Sequence, residues 1–256
     1  MSNILARANR AVLEQFAWSN VLIAFDYDGT LAPIVAEPIR ATMRESTRIL
    51  LKAVARHYPV AIISGRARAD VARLLRGVGA QLIVGNHGVE PWHASRRLSA
   101  EVRRWLPILE EQLAALRGIE IEYKVFSIAI HYRHSREKKR MQLLIAKAAA
   151  ALGDVRVTGG NHVVNLLPTG APHKGSAVER ARSQLGCDTA IYVGDDETDE
   201  DAFVLDQPGR LLGIRVGRSG SSAAAYHIPN QAAIDDLLHA LLASRCDIEP
   251  HRRAAR

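Results

Sequence analysis

The stretch Val21-Leu22-Ile23-Ala24-Phe25-Asp26-Tyr27-Asp28-Gly29-Thr30-Leu31 decides the fold. Five consecutive apolar residues read as a strand buried on both faces, the pattern of a parallel sheet sandwiched between helices. The acids that follow stand at its C-terminal end, where open α/β sheets bind their ligands. Asp26 and Asp28 are one residue apart, so on an extended chain both side chains point the same way. Gly29 permits a turn whose backbone N–H groups can face an anion. Like charges gathered at a strand end repel each other and ask for a cation; a plain Asp-Gly turn is the competing reading.

Working outward, strand-sized runs alternate with helical patterns, the mark of βαβ units. Strands are expected at 60–63, 81–84, 190–193 and 212–216. Helices are expected at 68–75, closed by Gly77, at 176–184, closed by Gly186, and at 232–243, with Leu237, Leu238, Leu241 and Leu242 in its core. Pro33 and Pro38 break the chain after the first acidic turn. Thr42 with Glu45 spells a capping box, opening a helix with Ile49, Leu50, Ala53 and Val54 on one face.

The middle of the chain reads differently. A helix over 98–116 carries Trp105, Leu106, Leu109, Leu113 and Leu116, with Pro107 disturbing its first turns. A hairpin over 120–132 alternates Ile121, Tyr123, Val125, Ile128, Ile130 and Tyr132 against Ser127, Ala129 and His131, leaving one wet face. A helix over 137–152 and β-like runs at 155–158 and 163–167 complete an α+β module. The expected architecture is α/β: a Rossmann-like parallel-sheet core over 1–90 and 171–256, interrupted by an α+β cap over 91–170. The two connections, near Pro91 and Gly170, would act as a hinge.

At 256 residues, 48% hydrophobic and 24% charged, the chain suits one large domain or two modest ones and is not a disordered composition. No apolar run approaches bilayer length, and no basic segment followed by an apolar core opens the chain, so no membrane partner and a cytoplasmic location are expected. Cys187 and Cys246 form no CxxC pair, which leaves two reduced thiols rather than a disulfide or a cysteine zinc site. The 34 Lys+Arg against 27 Asp+Glu give a net charge of +7, with a pI near 9.7, and raise nucleic acid as a partner. The arginines are dispersed, though (Arg7, Arg40, Arg73 and Arg103 among them), aromatics reach only 5%, and the basic tail 251–256 reads as a solvated end. A small anionic substrate suits a positive field as well; no nucleic-acid partner is expected.

A second acidic cluster, Gly194-Asp195-Asp196-Glu197-Thr198-Asp199-Glu200-Asp201, follows the strand at 190–193. Attraction to a helix dipole accounts for one or two such acids, not for so many. With Asp26 and Asp28 they make an oxygen-rich site for a hard divalent cation, most naturally Mg2+. The absence of cysteine, or of paired histidines at ligand spacing, argues against zinc. Ser64-Gly65-Arg66 follows the strand at 60–63 with a hydroxyl and backbone N–H groups, and His173-Lys174-Gly175-Ser176 opens a helix whose N-terminus and lysine favour an anion. Each alone is an ordinary turn; four in this order, all at element junctions, describe a phosphate site.

This ordered set resembles the haloacid dehalogenase-like phosphohydrolase superfamily, with the motifs at 26–30, Ser64, Lys174 and 194–199 and an insert similar to its C2-type cap. More narrowly, residues 25–34, 63–66, 85–90, 124–133, 173–175 and 194–201 look like the trehalose-6-phosphate phosphatase family, a likeness running from about 22 to 216. The resemblance implies a phosphoric monoester hydrolase that uses Mg2+ and a small sugar phosphate. Asp26 is then the nucleophile that forms an aspartyl-phosphate, and Asp28 the acid that later activates water. Metal ligands would be the Asp26 carboxylate, the Asp28 carbonyl and Asp195, with Asp196 or Asp199 completing or orienting the shell. Ser64, Lys174 and the amides of Gly29 and Thr30 would neutralise the transferring oxygens. Closure of the cap would exclude water.

Sugar contacts are expected from Glu122, Lys124, His131 and Arg133 on the cap, and from Gly65, Arg66, Asn86 and His87 on the core. His87 either orients substrate or pins the hinge turn, His131 reads as a wet-face residue or a ligand, and Trp18, Trp92 and Trp105 read as packing. The family's usual Glu-x-Arg-Pro is matched here by Asn165-Leu166-Leu167-Pro168, without either charge. Another glycosyl phosphate, such as sucrose phosphate or mannosyl-3-phosphoglycerate, therefore stays open as the substrate. A phosphotransferase and, from the pI alone, a nucleic-acid binder are the competing classes. The expected assembly is a monomer or small homo-oligomer.

Overall fold

A computed structural model describes residues 1–35, 41–160, 162–205 and 209–246; Pro38, Arg40 and the tail 251–256 lie outside them. Among the described residues, a seven-stranded sheet runs in the order β1 (Ser2–Asn3), β11 (Tyr226–Ile228), β10 (Leu211–Val216), β9 (Thr189–Gly194), β2 (Val21–Phe25), β3 (Val60–Ile63), β4 (Leu82–Val84). Every pairing in it is parallel. All of β2 is buried, and its alternate residues enter two cores. Ile23 and Phe25 pack with α1 (Arg10–Trp18), α2 (Glu45–His57) and α8 (Ile234–Cys246), whereas Leu22 and Ala24 pack with α6 (Lys174–Gln184). The uninterrupted apolar run follows from helices on both faces.

One pairing positions the chemistry. β2 lies beside β9 with Phe25 opposite Val193, and the N–H of Asp26 donates to the Val193 carbonyl at 2.8 Å. The two acidic segments, remote in sequence, thus leave the sheet side by side at its carboxyl edge.

The second sheet is antiparallel, in the order β5 (Glu120–Tyr123), β6 (Ile128–His131), β8 (Val163–Pro168), β7 (Val155–Gly160). Helices α4 (Arg96–Leu113) and α5 (Lys138–Ala150) cover one face, where Val102, Trp105, Leu109, Ile130, Ile145 and Leu166 form a separate core. The opposite face is wet only in part: Glu122 is exposed and His131 half-buried, but Ser127 and Ala129 are buried. It lies against the loops of the parallel sheet, with Ser127 Oγ donating to Asn86 Oδ1 at 3.1 Å and Arg133 donating to the Val35 carbonyl at 2.7 Å. Polar alternation marks a face turned away from its own core; what covers that face is a tertiary matter.

Other expectations shift. The capping box does not form: Arg44 is the N-cap of α2, with no side-chain cap, and Glu45 is already helical. The inner stripe of α2 is Thr47, Leu51 and Val54, at i, i+4 and i+7, while Ile49 is exposed. Pro107 lies in the middle of α4, not in its first turns, and the helix runs on past it. Helix α6 starts two residues early, because His173 caps it reciprocally with Ser176. Trp105 is buried, and Trp92 donates to Gln184 at 2.7 Å, but Trp18 is exposed and only donates to the Ser244 carbonyl. The thiol of Cys187 is free and buried; the side chain of Cys246 lies outside the described residues. No helix among the described residues is long and apolar enough to cross a membrane.

Candidate active site

Asp26, buried directly after β2, is the centre of the site. Lys174, the first residue of α6, places Nζ 3.1 Å from Asp26 Oδ1 and 2.8 Å from Asp199 Oδ1, with all three side chains buried. Burial alone would lower the lysine's pKa; Asp199 and Asp26 outweigh it and hold the ammonium charged, well above its usual range. Tyr192, on β9, donates its hydroxyl to Asp199 Oδ1 at 2.5 Å. Asp199 Oδ2 accepts the N–H groups of Asp195 and Asp196, each at 2.9 Å. Asp199 therefore both faces the site and holds the loop that carries the other acids.

Oxygens of Asp26, Asp195 and Asp199 lie within 4.8 Å of one another. Burial, with the neighbouring acids adding to it and Lys174 opposing it, pushes Asp26 well above the carboxylate range. Burial and then Asp199 push Asp195 up to about 7. Three crowded carboxylates facing one ammonium form a site short of positive charge. The all-oxygen donor set fits a hard divalent cation such as Mg2+.

The sequence motif at 26–30 is held by the same pocket. Gly29 has φ 80°, and a Cβ there would stand 2.0 Å from Asp195 Oδ2, so only glycine lets the turn meet the second acidic loop. Thr30 Oγ1 donates to Asp195 Oδ1 at 3.1 Å. The Asp28 carboxylate stays outside the triad: Arg66 grips it through Nε and a terminal nitrogen, both at 2.6 Å. Asp196 also stays outside, turning Oδ1 back to cap the Glu197 N–H at 2.8 Å. Of the two residues expected to complete the shell, the fold brings in Asp199. Ser64 is buried at the end of β3, its Oγ accepting the Arg66 N–H at 3.2 Å.

Around this centre the remaining expected residues divide. Asn86 and His87 both adopt left-handed backbone, φ 49° and 57°. Asn86 donates to Glu90 Oε2 at 2.8 Å and accepts from Ser127, joining the two sheets. His87 packs on Gly65, where a Cβ would lie 2.5 Å from its Cε1. Burial first, then the cations Lys174, Lys124 and Arg156, hold its imidazole neutral, well below the usual range. Lys124 reaches the Gly65 carbonyl at 3.4 Å and Glu122 at 3.5 Å. Glu122 lies 2.9 Å from His131 Nε2; partial burial pushes its pKa up, but His131 and Lys124 outweigh this and lower it. Arg133 binds main chain near the end of the first motif instead of entering the acidic centre.

Sequence reading missed the residues that hold these groups. Arg215, on β10 opposite Gly194, donates to the carbonyls of Asp195 at 2.5 Å and Asp196 at 3.3 Å and pairs with Glu200 at 2.6 Å. A lone arginine inside the apolar run 212–216 was the available signal. Tyr192 looks like any core tyrosine in sequence. Thr158 and Arg156 lie in a short β-like run that names no role.

Comparison with known proteins bears on this arrangement. Residues 24–223 match the family model for trehalose-phosphatase. The chain is 31% identical over 258 residues to a probable trehalose-phosphate phosphatase D of Arabidopsis thaliana, covering 90% of this chain and 69% of the relative. It is 30% identical over 251 residues to a trehalose 6-phosphate phosphatase of Zea mays, covering 86% and 69%. Among solved structures, the C-terminal domain of the trehalose-6-phosphate phosphatase of C. albicans superposes with a TM-score of 0.76 at 22% identity, covering 92% of this chain and 97% of that one.

Proposed function

Because this chain belongs to the trehalose-phosphatase family, we propose that it removes phosphate from trehalose 6-phosphate, yielding trehalose and inorganic phosphate by way of an aspartyl-phosphate on Asp26. The observation that carries this is the buried Asp26, set at a strand end beside an ammonium and two further acids. One Asp26 oxygen attacks phosphorus in line as the bond to the sugar oxygen breaks, and Asp28 delivers the proton that the leaving oxygen needs. Asp28 then takes a proton from water, which attacks the acyl phosphate and frees both phosphate and Asp26. Arg66 holds Asp28 in place through two hydrogen bonds and gives it up as the substrate enters.

Lys174, Ser64 and the amides of Gly29 and Thr30 are assigned to the phosphoryl oxygens, the main catalytic contribution in phosphoryl transfer. The Asp26 and Asp195 carboxylates and the Asp28 carbonyl would hold Mg2+, with Asp199 fixing their loop. When bound, the ion neutralises carboxylate and phosphate charge so that one anion can approach another. We assign 1–90 and 171–256 to the core and 91–170 to a cap that hinges near Pro91 and Gly170. Glu122, Lys124, His131, Asn86 and His87 then surround the sugar when the cap closes.

A second sugar remains a specific alternative because of Leu167. In place of the family's arginine it is fully buried and packs with Val89 and Ala171. Phosphate release is therefore to be measured, with and without Mg2+, from trehalose 6-phosphate beside glucose 6-phosphate, sucrose phosphate and mannosyl-3-phosphoglycerate. The expected result is Mg2+-dependent release, fastest from trehalose 6-phosphate. Preference for another glycosyl phosphate replaces the sugar, and no release from any of them sinks the whole assignment.

A further inference from the structure

The register of the antiparallel sheet sorts its residues into rows. Thr158 pairs with Asn165, Asn165 with Ala129, and Ala129 with Glu122, while Arg156 pairs with Leu167. Cross-strand partners share a face, and this face is the one turned toward the core loops, as the Lys124 and Ser127 contacts require. Within the row Glu122–Ala129–Asn165–Thr158, Asn165 stands beside His87, and the face continues past Thr158 to Gly160, where a Cβ would meet Asp196 of the acidic loop.

Charged groups along this seam already have partners. Lys124 pairs with Glu122 at 3.5 Å, Arg156 with Asp201 at 3.5 Å, and Lys174 with Asp26 and Asp199. Two neutral groups do not. Thr158 Oγ1 and both ring nitrogens of His87 are shut off from solvent without a well-formed hydrogen bond among the described residues, the imidazole having only a weak one with Asn165. His87 is only 5% exposed, sits in left-handed backbone at φ 57°, and has Asn165 near its ring. Buried polar atoms normally find partners, and strained backbone that persists in a folded protein clusters at ligand sites. Both departures meet at one seam, one from each side of it.

We propose that Thr158 from the antiparallel sheet and His87 from the core loop form an uncharged clasp that hydrogen-bonds hydroxyl groups of the glycosyl half of the substrate as the two sides close. This rests on the reading of the chain as a glycosyl phosphatase and adds the chemical class that the seam selects. The glycosyl half is a polyol, because the groups the clasp offers, a hydroxyl and an imidazole, are uncharged hydrogen-bonding groups that hydroxyls satisfy.

Two variants test the clasp: Thr158→Val, which keeps the shape and loses the hydroxyl, and His87→Asn, a residue that tolerates left-handed backbone. Each is assayed on trehalose 6-phosphate and on p-nitrophenyl phosphate, which has no hydroxyls to offer. The expected result is a kcat/KM loss about fivefold greater on the sugar phosphate, carried mainly by KM, the scale of one neutral hydrogen bond. Thr158→Val is also expected to melt no lower than the parent, since the hydroxyl it removes has no partner. Equal losses on both substrates, no loss on the sugar, or a clear drop in the melting temperature of Thr158→Val would overturn the clasp. If the parent prefers another glycosyl phosphate, the same ratio is measured with that compound, so an error in the sugar and an error in the clasp give different results.

Discussion

The carboxyl edge of the parallel sheet and the inner face of the antiparallel sheet confront each other, yet they are built on opposite principles. The edge is a lattice of charges: Lys174 between Asp26 and Asp199, Arg66 on Asp28, Arg215 on the carbonyls of the acidic loop. The middle of the facing sheet is neutral, with Thr158, Asn165 and Ala129 in one row and Leu167 buried in the next. Phosphoryl transfer needs fixed charges at fixed points, which a strand end and a helix start supply within a few residues of chain. A pleated face, by contrast, offers a spread of hydrogen-bonding groups set by its register, as the proposed sugar contacts require.

The comparison breaks most visibly at Asp26. Asp26→Asn should lower phosphate release on the order of 10^4-fold or more, with an unchanged circular-dichroism spectrum because Lys174 keeps Asp199 as its partner. Retained turnover would move the nucleophile elsewhere. On the opposite face, Leu167→Arg, which writes back the family's usual charge, should cost about 3 kcal/mol of stability. It would place a cation among Val89 and Ala171 and opposite Arg156. Urea unfolding measures this, and a neutral result would mean that the face opens to let the guanidinium out.

The smallest effect concerns the charge deficit itself. Without metal, Asp195 has its pKa raised from 3.8 to about 7 in the folded protein. A raised carboxyl stabilises the fold fully below its unfolded value and loses that contribution as pH climbs through the folded one. Melting temperature in chelator should therefore fall by roughly 5 °C or less between about pH 5 and about pH 8. Added Mg2+ should restore more at the upper pH than at the lower. Equal shifts at both would show that the acids do not hold the ion.

Much of the edge was legible in the linear chain. The runs at 21–25, 60–63 and 190–193 are continuous and apolar because helices cover both sides of their sheet, and Gly29 is where the turn against Asp195 demands it. The facing sheet was legible as strands but not as a surface. Its polar residues suggested water, and instead Ser127 meets Asn86 in a loop of the parallel sheet. The short strands β1 and β11 and the helix α1 went unseen because they carry too few residues or too weak a pattern to stand out before they are packed. The stripe on α2 was misplaced by apolar counting alone, since Thr47 and not Ile49 faces inward.

Residue type and spacing by themselves determined that acids, a hydroxyl and a lysine would stand at element junctions, because a strand end or a helix start is set by neighbours along the chain. Only the folded structure decided which of those groups meet. Placing β2 next to β9 brings Asp26 to Asp195 and Asp199 and leaves Asp196 and the Asp28 carboxylate aside. It also decided their protonation, because a pKa answers to burial and to charges in space, and neither exists until strands remote in sequence lie side by side.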